Sequence, residues 1–165
     1  MADMKALYQE VIMDHNKKPR NFGKLSPATH HAEGHNPLCG DHINVTMNLT
    51  GNLDSDTVEA INFEGEACAV CKSSASMMTV AVKGKTRAEA ETLTQDFLAM
   101  ATGKMDMNAP NNMGRLAVFA GVRDLPTRVK CAILPWHTLH AAFNSVTEVS
   151  TEADADPMHT PLGNA

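Results

Sequence analysis

The chain has 165 residues, 43% of them hydrophobic and 20% charged, with a formal net charge of −5, enough to bury one core without disulfide help. That acidic balance argues against a nucleic-acid partner, because phosphate binding needs a concentrated basic face. No stretch reaches the length of a membrane span and the opening MADMKALYQEVIMDH lacks a signal-peptide profile, so a cytoplasmic protein with no membrane partner is expected.

In chain order, Met4, Leu7, Tyr8, Val11, Ile12 and His15 recur at helical spacing behind Asp3, a good N-cap. A first amphipathic helix is therefore predicted to run to about His15. Residues 17–27 hold two prolines and a glycine and read as a loop. From Asp41 the alternation Ile43, Val45, Met47, Leu49 has the period of a half-buried strand. Thr50-Gly51-Asn52 supplies a turn, and residues 58–63 read as the pairing strand, with a third strand over 28–34. Residues 69–82 read as a helix rich in small residues. Thr86 and Glu89 then form a capping box that opens a helix through Leu93, Phe97 and Met100, with Gly103 as terminator. The polar run 104–112 reads as a loop and 116–122 as a short helix. The last helix starts after Pro126, with Thr127 as N-cap, and passes Trp136, Leu139 and Phe143; Pro135 inside it predicts a kink. Residues 151–165 are acidic and poor in large apolar side chains, which predicts a disordered tail behind a domain over 1–150. Strands first and helices later give an α+β domain, a small three-stranded antiparallel sheet packed against helices.

Four cysteines in a reducing compartment point to metal, sulfur or redox chemistry more than to disulfides. Cys39 lies in the tight turn Asn36-Pro37-Leu38-Cys39-Gly40-Asp41, Cys68 at a strand-to-helix junction, and Cys131 in the first turns of the last helix beside Arg128 and Lys130. Ends of elements present a thiol, and helix N-termini and adjacent cations make it more acidic. Three thiolates and the carboxylate of Asp41, if they converge, would make a tetrahedral zinc site with bonds of about 2.0–2.3 Å. The same thiolates suit an iron–sulfur cluster, and spacing alone leaves convergence open.

Cys71 completes a CxxC pair with Cys68. A zinc-deaminase reading, using His31-Ala-Glu33 upstream, meets Ala67 where a proline is expected and gives Cys39 and Cys131 no role. A thioredoxin-like reading lacks the βαβ setting. Cys71 as a small residue on a small-residue helix is the simpler expectation, though at that spacing it could also face Cys68 as a spare sulfur carrier. His30, His31, His35 and His42 are expected at solvated or edge positions, with His35 close to Cys39 across the turn. Lys130 and Arg128 read either as solvated helix charges or, flanking Cys131, as a local electrostatic device. Trp136 and the pair Met77 and Met78 are expected in the core.

Three segments, NPLCGD at 36–41, FEGEACAVCKSSASMM at 63–78 and RVKCAILPWHTL at 128–139, resemble the cysteine segments of the SufU/IscU family of iron–sulfur cluster assembly proteins, the NifU-N/IscU-like family. The similarity runs from about Leu7 to Phe143. Two features place the chain on the SufU side: Lys130 stands where IscU-type proteins have His, and the interval from Cys68 to Cys131 is longer, with extra residues near 104–116. The resemblance implies the SufE/NifU (IscU-like) fold. It implies Cys39, Asp41, Cys68 and Cys131 as metal ligands, Cys39 as the acceptor of persulfide sulfur from a SufS-like cysteine desulfurase, and Arg128 as an aid to ligand exchange. Zinc is the implied ion; a transient 2Fe–2S cluster on Cys39, Cys68 and Cys131 is the alternative, as in IscU-type scaffolds. Downstream, a SUF scaffold or apo iron–sulfur proteins would be the recipients. A zinc-dependent sulfurtransferase, a cluster scaffold and a zinc module that only supports folding are thus the three readings. Ala67 and Cys71 depart from the family, which usually carries Gly and Ser there.

Overall fold

A computed structural model describes residues 2–51 and 56–152. Helix α1 (Ala2–Lys17) is followed by strands β1 (His30–Asn36), β2 (Asp41–Thr50) and β3 (Thr57–Glu66). Helices α2 (Ala69–Val82) and α3 (Arg87–Ala101), a 3₁₀ segment (Gly114–Asp124), helix α4 (Pro126–Phe143) and strand β4 (Glu148–Ser150) complete the order. β1, β2 and β3 pair antiparallel. Alternation decides their faces: Ile43, Val45 and Met47 of β2 and Val58, Ile61 and Phe63 of β3 are buried on the helical side. On the other face, the loop before β1 covers Thr46, whose hydroxyl accepts a hydrogen bond from the Leu25 amide at 3.0 Å.

The architecture is α+β as expected, but the sheet has four strands, in the order β3-β2-β1-β4, where the pattern predicts three. β4 pairs parallel with β1, Glu33 opposite Glu148. Three residues are too few to show a strand period, so pattern alone cannot reveal it. The strand predicted over 28–34 falls at His30–Asn36 instead. Asp3 lies inside α1, which begins at Ala2 and continues past His15 to Lys17. Thr127 is not the N-cap of α4: Leu125 is, with Pro126 in the first turn, where its missing amide and fixed φ are an advantage. α4 continues through Pro135 to Phe143. The stretch expected as a short helix is the 3₁₀ segment. Of the tail predicted from 151, Thr151 is buried and bonded to Asn36, Glu152 pairs with Lys130, and 153–165 lie outside the described residues.

Capping follows the predicted chemistry. The Thr86 hydroxyl accepts from the Glu89 amide at 3.2 Å, and the Glu89 carboxylate from the Thr86 amide at 3.0 Å. At the other end of α3, Gly103 (φ 80°) closes a Schellman turn: the Lys104 amide donates to the Ala99 carbonyl at 2.7 Å and the Gly103 amide to the Met100 carbonyl at 3.1 Å.

Small residues on α2 let its neighbours approach and then fix their register. The Ser74 hydroxyl donates to the Ala132 carbonyl at 2.6 Å and accepts from Trp136 Nε1 at 3.2 Å. Ser76 Oγ accepts from the Arg20 amide at 2.8 Å and lies 2.7 Å from His15 Nδ1. Trp136 and Met78 are fully buried and Met77 nearly so, as expected, with Trp136 stacked on Phe97 at 4.5 Å. The Ser74 bonds lock α2 against α4 and the Ser76 bonds tie it to α1 and the loop that follows, so the start of α2 and the second turn of α4 meet near the β1–β2 turn.

Gly65 delivers the chain from β3 to that junction. Its φ is 135°, and a Cβ there would overlap the His42 carbonyl and lie 2.9 Å from Ile43 Cα. Gly65→Ala is therefore expected to cost about 2–4 kcal/mol, read by urea denaturation. A midpoint equal to wild type would show that the β2–β3 backbone does not need this close approach.

Candidate metal centre

Cys39 sits in the turn between β1 and β2, its amide donating to the Asn36 carbonyl at 3.2 Å. Gly40 follows in left-handed backbone (φ 71°), which returns the chain so that Asp41 faces Asn36 in register. Leu38, 61% exposed, projects beside the half-buried Cys39. Asp41, only 2% exposed, points inward under this turn. Its Oδ1 accepts from the Cys68 backbone amide at 2.8 Å, and its Oδ2 accepts from Asn36 Nδ2 at 3.1 Å. One carboxylate thus ties the hairpin to the start of α2.

Cys68 is the N-cap of α2, its sulfur accepting from the Cys71 amide at 3.4 Å. Cys131, from the second turn of α4, is buried rather than presented, which corrects the expectation that all three thiols sit open at element ends. Its sulfur lies 3.2 Å from Cys39 Sγ and 3.5 Å from Asn36 Nδ2. Donor atoms of Cys39, Asp41 and Cys131 all fall within 4.8 Å of one another. Cys68 adjoins them, its sulfur 3.9 Å from Asp41 Oδ2, without coming that close to all three.

Among the other flagged residues, Arg128 is exposed at the rim, where its charge interacts with all three thiols. Lys130 is instead ion-paired to Glu152, so the cation beside Cys131 in sequence is engaged elsewhere. Cys71 is fully buried among core side chains, and burial pushes its thiol well above the ordinary range. It is a small core residue, while its backbone amide serves Cys68. His35 does not approach Cys39 as expected: it neighbours inward-facing Asn36 and so projects from the opposite sheet face, where it stacks on His42.

Two contributors escape the sequence argument. Asn36 is fully buried, bridges Asp41 and Cys131, and is held by the Thr151 hydroxyl at 3.0 Å. It was visible inside the first motif but carries no ligand chemistry to single it out. Tyr8 of α1 packs edge-on against Phe119 at 6.3 Å. Burial raises its phenol, with Arg128 opposing and Cys68 and Cys131 adding to the rise, which puts it in the electrostatic field of the site.

The Cys68 and Cys131 thiols sit in one another's field beside the buried Asp41 side chain and are driven apart in acidity. Neighbouring Cys131 is the largest influence that lowers Cys68, with amides at the α2 N-terminus adding to it, so Cys68 falls to about 7. Cys131 rises in turn, held up by Cys68, by burial and by Cys39, the thiol its sulfur contacts at 3.2 Å. A divalent cation would remove this conflict, and soft sulfur with one oxygen is a donor set that zinc or iron accepts. In chelator-treated protein, the rate of Cys68 alkylation should therefore rise with pH, reach half its maximum near the pKa of about 7, and level off above it. Cys131→Ala should move that midpoint up toward the ordinary thiol range of about 8.5. A midpoint that stays put, followed by mass spectrometry of the alkylated peptide, would exclude the influence of Cys131 on Cys68.

The comparisons with known proteins agree with this geometry. Residues 7–145 match the NifU-like N terminal domain. The zinc-dependent sulfurtransferase SufU of Bacillus subtilis is 42% identical over 84% of this chain and 90% of its own length. The iron–sulfur cluster assembly scaffold protein IscU of Streptococcus pyogenes is 36% identical over 87% of this chain and 86% of its own. A crystal structure described as a SUF-system iron–sulfur cluster assembly scaffold protein from Fervidobacterium islandicum superposes with a TM-score of 0.69 at 32% identity, covering 83% of this chain and 96% of that one. The chain thus belongs to the NifU-like N-terminal domain family, the SufU/IscU group of iron–sulfur cluster assembly proteins.

Proposed function

We propose that this protein is a zinc-dependent sulfur acceptor in iron–sulfur cluster assembly, with Cys39, Asp41, Cys68 and Cys131 as the zinc ligands. The observation that carries the reading is the meeting of Cys39, Asp41 and Cys131 within 4.8 Å beside the N-terminus of α2. The donor set fits zinc, which when bound would hold the thiols deprotonated and oriented. The B. subtilis relative is named a zinc-dependent sulfurtransferase, and Lys130 in place of the IscU-type His leans the same way.

The residues divide the work. Cys131 is buried and anchors; Cys68 is made acidic first by Cys131 and then by the amides of its helix N-terminus; Cys39, half-buried on the turn beside exposed Leu38, is the thiol offered to a partner. Asp41 is a harder and weaker ligand for a soft site than a thiolate, so its carboxylate would hold the ion least firmly. The Cys39 thiolate attacks the outer sulfur of a persulfide on a SufS-like cysteine desulfurase. The sulfur–sulfur bond of that persulfide breaks, a new one forms on Cys39, and the desulfurase cysteine leaves as a thiolate, with no net redox change. Arg128 at the rim favours the thiolate form of Cys39, Cys68 and Cys131 through its charge. A SUF scaffold or an apo iron–sulfur protein then takes the sulfur.

Cys39→Ser should abolish sulfur acceptance and desulfurase stimulation, measured with purified desulfurase and labelled cysteine. Arg128→Ala should keep its zinc but transfer sulfur about tenfold more slowly, the scale of one charge-assisted hydrogen bond. Normal stimulation by Cys39→Ser would sink the proposal. Anaerobic assembly of a 2Fe–2S cluster that passes intact to an apo-protein would favour the scaffold reading instead, which the name of the S. pyogenes relative suggests.

A further inference from the structure

The outward face of the sheet carries a second cluster of donors that shares no residue with the cysteine centre. His35 and His42 are directly opposed in the β1–β2 register, and their rings stack at 4.3 Å with 22° between planes. Both turn Nε2 toward Glu33: His42 Nε2 is 3.8 Å from Oε1, and His35 Nε2 is 4.0 Å from Oε2. Glu148, which β4 brings opposite Glu33, places Oε1 3.3 Å from His35 Nε2. One donor atom from each of Glu33, His35 and His42 lies within 4.8 Å of the others.

His35 Nε2 is shielded from solvent and makes no hydrogen bond, although a carboxylate oxygen stands 3.3 Å away. A polar atom removed from water and left without a directed partner is costly and calls for an explanation. A metal ion supplies one. With bonds of about 2.0–2.1 Å, the donors of a tetrahedral site stand about 3.3 Å apart, close to the His–carboxylate separations of 3.3 to 4.0 Å, and the two stacked rings would turn to aim both Nε2 lone pairs at one ion. Paired strands hold all four side chains at fixed spacing, as a preorganised site requires.

The geometry points to a second metal site in which Glu33, His35, His42 and Glu148 bind a divalent first-row transition ion on the outer face of the sheet. Two imidazoles with carboxylates suit borderline ions such as Zn²⁺, Fe²⁺ and Co²⁺. They do not suit Mg²⁺ or Ca²⁺, which take oxygen ligands. The site stands independently of the sulfur-acceptor reading, because neither its ligands nor its ion depends on the thiols.

Co²⁺ titration of the intact chain distinguishes the two sites by colour, since cobalt on thiolates gives sulfur-to-metal charge transfer and cobalt on imidazole and carboxylate does not. Wild type should bind an equivalent of Co²⁺ without charge transfer, and should shift the ring-proton resonances of two histidines as it does so. His35→Gln with His42→Gln should weaken that equivalent by about 100-fold or more, a loss at least as large as that for removing an outer partner of a ligand, and leave the charge-transfer band unchanged. Glu148→Gln should weaken it by about tenfold. Two results would overturn the site: no Co²⁺ beyond the thiolate-bound ion at millimolar metal in wild type, which would mean simple His–Glu ion pairing, or undiminished binding in the double variant.

Discussion

The carboxylate of Asp41 is the joint on which the site depends. Buried charge is tolerable only when it is hydrogen-bonded or neutralised. This carboxylate meets that condition through two donors from different parts of the chain, the Cys68 amide and the Asn36 side chain. Those two bonds fix the β1–β2 turn against the start of α2. The Thr151 hydroxyl on Asn36 extends the tie to the segment following β4. Around that joint everything else is placed: Cys39 over it on the turn, Cys68 beside it at the helix cap, Cys131 under it from α4.

That arrangement concentrates acidic groups where water is scarce, and its chemistry follows from the conflict. Cys68 and Cys131 push one another apart in acidity. Backbone amides at the α2 N-terminus add to the acidity of Cys68. The least buried of the close trio is Cys39, and it lies next to an exposed apolar side chain suited to a partner's approach. Under the proposed function, anchoring, charge holding and sulfur acceptance fall to different residues of one cluster, while Cys71 is sealed in the core.

Much of this was legible in the sequence, and the exceptions have physical causes. Alternation in β2 and β3, the Thr86–Glu89 box and the Gly103 stop are local signals, and each appears where the residues predict it. β4 was invisible because three residues hold no period and its partner β1 is more than a hundred positions away. Thr127 looked like a cap by composition, but Pro126 already sat in the first helical turn and moved the boundary back to Leu125. The ligand candidates could be named from their motifs, whereas their convergence could not, since it depends on Ser74 and Ser76 registering α2 against its neighbours. His35 misleads for a simpler reason: it sits next to Asn36 in sequence, and on a strand adjacent residues face opposite ways.

The central claim is that three thiolates and one carboxylate hold a single ion. X-ray absorption at the zinc edge of freshly purified, zinc-loaded protein tests it most directly. The account predicts three sulfur neighbours at about 2.3 Å and one oxygen at about 2.0 Å, unchanged in Cys71→Ser. A shell of four sulfurs that falls to three in that variant would put Cys71 in the ligand set and contradict the arrangement around Asp41.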